Sequence, residues 1–138
     1  MTHAIALEDG GELLLLDPWL PAAEAASFFA TLQRDLPWEQ KPIVMMGKRI
    51  LQPRLVAWIG DPSAVYTYSG VRNQPLPWTP LLADLRRRVE QIAAQPFNSV
   101  LANLYRDGDD AMGFHADKEP ELGQNPVIAS ISLGAPRR

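Results

Sequence analysis

His115 and Asp117 stand two residues apart in the stretch GFHAD. Side chains of a strand alternate between its faces, so this spacing puts an imidazole nitrogen and a carboxylate oxygen on one side. Both can reach a single cation, as two of the three ligands in a facial two-histidine, one-carboxylate site that leaves positions open on iron(II). The pair alone is a weak signal, because an acidic surface loop also brings His and Asp together. A second pair, Asn103 and Tyr105 in NLYRDG, lies one strand and one short turn upstream. An amide and a phenol there could donate hydrogen bonds to a carboxylate-bearing co-substrate on the metal.

Groups of this kind need strands to hold them, and the last third of the chain reads that way in FNSVLANLY, AMGFHAD and VIASISLG. Earlier, GELLLLD reads as a short buried strand ended by Asp17 and Pro18. The apolar runs IVMM and LVAWI, separated by Gly47 and polar residues, read as a hairpin-like pair with Pro53 in its loop. YTYSG follows as a short aromatic segment. PAAEAASFFATLQRDL carries apolar residues at helical spacing, with Pro21 tolerated in a first turn. TPLLADLRRRVEQIAAQ predicts a second helix, capped by Thr79, with Pro80 first and Leu81, Leu82, Leu85, Val89 and Ile92 on one face. Arg86, Arg87 and Arg88 splay by roughly 100° each around that helix, which predicts a solvated face rather than one basic cluster. Helices early and strands late suggest an α+β fold, read as one domain over residues 1–138, with an antiparallel sheet carrying the site.

Composition narrows the function classes. The 138 residues are 46% apolar, enough for one ordinary core. The absence of cysteine excludes a disulfide framework, a thiolate metal site and a cysteine nucleophile. The run Leu13 to Leu16 is too short to span a bilayer and no basic segment precedes it. The chain is therefore read as a soluble, cytoplasmic monomer with no membrane partner. A net charge of −3 gives no global attraction to phosphate, so any contact with nucleic acid must come from a local basic patch.

Taken together, NLYRDG, GFHADKEPEL and NPVIASISLGAPR resemble the AlkB family of Fe(II)/2-oxoglutarate dioxygenases, which repair alkylated nucleic acids. The resemblance extends upstream through PRLVAWIGD, YTYSG, PLPWTPLL and FNSVLANLYRDG, roughly residues 40 to 138. It implies a double-stranded β-helix, a cupin-like jelly-roll core with N-terminal helices packed on one sheet. It also implies that His115 and Asp117 bind Fe(II) and that Asn103 and Tyr105 contact 2-oxoglutarate. By the same resemblance, Glu119 faces the damaged base and Tyr68 stacks on it, the two contacts a flipped base needs. Residues Met45, Met46, Lys48 and Arg49 in MMGKR resemble a loop that probes the base stack with an apolar tip beside cations. Arg54 and Arg72 are candidate phosphate contacts. Plainer readings stand beside these: Tyr68 as a core aromatic, the methionines as core filler. The activity implied is oxidative dealkylation of N-alkylated bases in DNA or RNA, with the alkyl carbon leaving as an aldehyde.

The sequence departs from the family in one respect. The family's second iron-binding histidine, and its arginines for the far carboxylate of 2-oxoglutarate, lie beyond SLGAPRR. Here His3 and His115 are the only histidines, and Arg137 and Arg138 the only cations after Lys118. The chain thus reads as a C-terminally incomplete domain with its last strands missing, and weak iron binding with little or no turnover is the expectation. A catalytically silent nucleic-acid-binding or interaction domain is the alternative. It predicts DNA affinity through MMGKR that needs no iron and survives loss of His115.

Overall fold

The computed structural model describes residues 1–68, 71–113 and 126–137. In chain order its elements are β1 (Thr2–Ala6), β2 (Glu12–Leu16), α1 (Ala22–Asp35), β3 (Pro42–Met45), β4 (Lys48–Leu51), β5 (Leu55–Gly60), β6 (Tyr66–Tyr68), β7 (Val71–Asn73), α2 (Pro80–Ala93) and β8 (Ser99–Leu104). The fold is α+β, with antiparallel strand pairs β1–β2, β3–β4, β5–β8 and β6–β7. Two compact units divide the chain: Met1–Arg34 with Ser132–Arg138, and Asp35–Ile131. Among the described residues no helix is long and apolar enough to cross a membrane.

In the first unit, β1 and β2 form a two-stranded ribbon in which Thr2 faces Leu16 and Ala6 faces Glu12. Leu13, Leu14 and Leu15 are all exposed, so the expectation of a buried strand is corrected. A ribbon of two strands has a single neighbour and cannot bury both faces. The helix α1 places Glu24 in its first turn and Arg34 in its last, each favourable for the helix dipole, and buries no residue fully.

The second unit is built around β5. Val56, Ala57 and Ile59 are buried, the last only 1% exposed, and since successive side chains point to opposite faces the strand is covered on both. Along one edge β5 pairs with β8, from Leu55 opposite Leu104 to Gly60 opposite Ser99. On the other edge Val56 exchanges two hydrogen bonds with Glu39, and Leu76 bonds to Trp58 and Gly60. At Gly60 the chains approach so closely that a Cβ would lie 2.7 Å from the Asn98 carbonyl oxygen. Only glycine fits there without displacing backbone.

The hairpin in this region is not the expected one. IVMM turns back on Lys48–Leu51, with Met45 opposite Lys48. The loop is just Met46 and Gly47, at φ +50° and +75°. Two positive φ values are what a tight two-residue hairpin loop requires, and glycine adopts one of them without strain. Pro53 has no N–H to continue the ladder, and LVAWI leaves to pair with β8 instead.

The second helix follows its sequence signals. Thr79 Oγ1 accepts a hydrogen bond from the Leu82 amide at 3.2 Å, and Pro80 opens the first turn. Leu82 and Leu85 are buried. With Val89, Phe97, Val100 and Ile131 they wall a cavity of about 90 Å³. The arginines divide as the helical spacing requires, but not all onto a solvated face. Arg87 is exposed and pairs with Asp84. Arg86 lies 4.8 Å above the Trp78 ring and bonds Asp61, which also accepts from the Trp78 indole. Residues 127–134, expected as a strand, carry no strand, and neither do 111–113 at the start of AMGFHAD.

Candidate active site

Asn103 opens NLYRDG on β8 opposite Val56, one residue before the strand ends at Leu104. Val100, Ala102 and Leu104 are half-buried while Leu101 and Asn103 are exposed, so alternation puts Asn103 on the other face of the strand from Val100. Its side chain is exposed but not loosely held. The Arg54 guanidinium donates from Nη1 to Asn103 Oδ1 at 2.7 Å. Arg54 Nε donates to Gln52 Oε1 at 2.9 Å. Arg54 and Gln52 are 9% and 6% exposed, so this relay is buried up to the amide it ends on. Gln52 is itself anchored, its carbonyl accepting from Gln40 Nε2 and its amide donating to the Lys41 carbonyl. Arg54 therefore directs Nε and Nη1 to neutral oxygens of its own chain.

Tyr105 follows β8 directly and is half-buried. The next turn is fixed by Asp110, a buried carboxylate that accepts from the Arg106 amide at 2.9 Å and from Arg106 Nε and Nη2. The hydrogen bond to Asp110 holds the Arg106 guanidinium above its ordinary pKa. The Ala111 amide bonds to the Pro53 carbonyl, tying the end of this turn to the residue before Arg54. NLYRDGDD is thus clamped at both ends beside the relay.

The β3–β4 hairpin ends in Met46, 99% exposed, with Met45, Lys48 and Arg49 also exposed. The methionines are therefore not core filler, and the tip is apolar with two cations beside it. Arg72 is exposed on β7, and its neighbour Asn73 accepts from Lys41 Nζ at 2.8 Å. The backbone of Tyr68 ends β6 opposite Val71. His115, Asp117 and Glu119 lie outside the described residues, and among the described residues no three His, Asp or Glu side chains could hold a metal ion. Sequence reasoning missed Gln52 and Asp110. The second had a local signal, an acid four residues after Arg106, whereas Gln52 becomes visible only once Pro53 has turned the chain.

The donor set can be tested against the groups the sequence implies. An Asn103 amide whose oxygen is occupied presents its N–H₂ group, and a phenol hydroxyl stands two residues on. Both groups can donate, which fits a carboxylate.

The chain belongs to the 2OG-Fe(II) oxygenase superfamily, whose sequence profile matches residues 12–138. Within that superfamily its relatives are AlkB homologues. It is 43% identical over 138 residues to the human protein named alpha-ketoglutarate-dependent dioxygenase alkB homolog 3, covering 98% of this chain and 48% of the relative. To the bovine protein of that name it is 44% identical over 115 residues, 83% of this chain and 40% of the relative. To the human protein named DNA oxidative demethylase ALKBH2 it is 39% identical over 118 residues, 83% of this chain and 45% of the relative. The chain spans about half the length of these relatives or less.

Proposed function

We propose that this chain is the co-substrate and nucleic-acid-facing part of an Fe(II)/2-oxoglutarate dioxygenase that removes alkyl groups from nitrogen atoms of bases in DNA or RNA. The observation that carries the reading is the Asn103 amide, held by its oxygen on a buried arginine so that a donor remains for a carboxylate. The family match and the names of the relatives, a dioxygenase and a DNA demethylase, support the reaction class. The finer fold that goes with it is a double-stranded β-helix with helices packed on one sheet.

When bound, Fe(II) and 2-oxoglutarate supply oxidation of the N-alkyl carbon by dioxygen, with succinate and carbon dioxide formed alongside the released aldehyde. His115 and Asp117 would hold the iron. Asn103 Nδ2 and the Tyr105 hydroxyl would donate to the co-substrate and fix its orientation, which is the protein's share in a reaction whose redox chemistry belongs to the cofactor. Tyr68 would stack on an extruded base and Glu119 meet its polar edge. Met45 and Met46 would enter the base stack beside Lys48 and Arg49. Unstacking costs a few kcal/mol per step, offset by contacts to the extruded base.

The test is an anaerobic Fe(II) titration with 2-oxoglutarate, followed through the weak visible charge-transfer band, and then formaldehyde release from an N-methylated oligonucleotide. A weak band that vanishes in His115→Ala is expected, with little or no formaldehyde released by this chain. A folded chain that gives no band, yet binds the oligonucleotide equally with and without iron and with His115 replaced, would instead be a silent nucleic-acid-binding domain.

A further inference from the structure

The two ends of an asparagine amide have nearly the same shape, and only their partners decide which end is oxygen. For Asn103 the deciding partner is Arg54. A guanidinium has five N–H donors and no acceptor, and it keeps its proton at any pH a protein survives. With Nη1 2.7 Å from the amide, the reverse orientation would set N–H₂ against N–H, two donors with nothing between them to share. Gln52 Oε1 holds the guanidinium at Nε, so Arg54 cannot swing away to accommodate a reversed amide without breaking a buried hydrogen bond.

From this geometry we infer that Arg54 is a positioning residue for the co-substrate site: by capping Oδ1 it fixes which end of the Asn103 amide is which, so that Asn103 offers a carboxylate the N–H donors of Nδ2. This rests on the reading of Asn103 as a 2-oxoglutarate contact. It replaces a phosphate-contact role for Arg54 with one exercised entirely through Asn103. Gln52 belongs to the same device, since it aligns the guanidinium that aligns the amide.

The test measures 2-oxoglutarate affinity by anaerobic calorimetry in the presence of Fe(II), together with the side-chain amide resonances of Asn103 in the nitrogen-15 labelled chain. Arg54→Met removes the donors and keeps the stem. Arg54→Gln is the second variant, with a polar amide that can present either a donor or an acceptor and so releases the constraint if the methionine variant does not fold. In either, 2-oxoglutarate affinity should fall about three- to tenfold, the scale of one net hydrogen bond. The Asn103 amide resonances should shift, and affinity for a methylated oligonucleotide should stay unchanged. Arg54→Lys, still a pure donor, should recover part of the loss. In an Asn103→Ala background the Arg54 substitutions should have no further effect on 2-oxoglutarate, which a merely structural role would not produce. Equal 2-oxoglutarate affinity in unsubstituted and Arg54 variants, or a loss confined to the oligonucleotide, overturns the inference alone. Failure of the folded, unsubstituted chain to bind 2-oxoglutarate overturns the functional reading, and the inference falls with it.

Discussion

At the scale of single residues, the proposed co-substrate site depends on side chains and turns held by their neighbours. Asn103 takes its direction from Arg54, and the turn after Tyr105 takes its shape from Asp110. The raised pKa of Arg106 carries a definite sign. A base whose pKa is higher when folded stabilises the fold below its unfolded value and loses that contribution only as pH climbs through the folded one. Both values lie beyond any working range, so Arg106 adds no pH dependence near neutrality. Tyr105→Phe removes one donor to the co-substrate and should weaken 2-oxoglutarate about three- to tenfold in the same calorimetric titration. An unchanged affinity would take Tyr105 out of the site. Asn103 and Tyr105 stand out in the sequence because their types and spacing sit in a recognisable motif. Arg54 was legible only as a cation, since whether a guanidinium faces solvent or a neighbouring amide depends on a pairing of β5 with β8 that no local pattern encodes.

At the scale of elements, helices were legible and strand partners were not. Helix signals are local: Thr79, Pro80 and the Leu82–Leu85 spacing define the start and inner face of α2 within one turn or two. Thr79→Ala should cost about 1 kcal/mol of stability, read as a lower urea midpoint with an unchanged slope, while Thr79→Ser should be near neutral. Strand pairing is non-local, and there the reading of IVMM with LVAWI failed. The two-residue loop at Met46 and Gly47 closed a tighter hairpin, and β5 found a partner 39 to 49 positions along the chain. The burial of GELLLLD was misread for a related reason: four leucines in a row describe a strand's composition and not the number of its neighbours.

At the scale of the whole molecule, charge is a poor guide and its distribution a better one. A chain of net charge −3 carries an exposed apolar hairpin tip flanked by Lys48 and Arg49. If that tip meets nucleic acid, affinity should fall with salt, and Lys48→Ala with Arg49→Ala should make the slope of log affinity against log salt shallower by about 0.9 per lost phosphate contact on duplex DNA. An unaltered slope would place the contact elsewhere. The pairing of β5 with β8 has a further consequence. A slip by one residue would turn every side chain of β8 over, sending Asn103 towards the α2 face and Val100 away from it. The Arg54 bond would be lost in the same movement that spoils the core. Strand alignment and co-substrate recognition therefore share one checksum: a misaligned chain announces itself by failing to bind, and no core variant that shifts this register can leave the site intact.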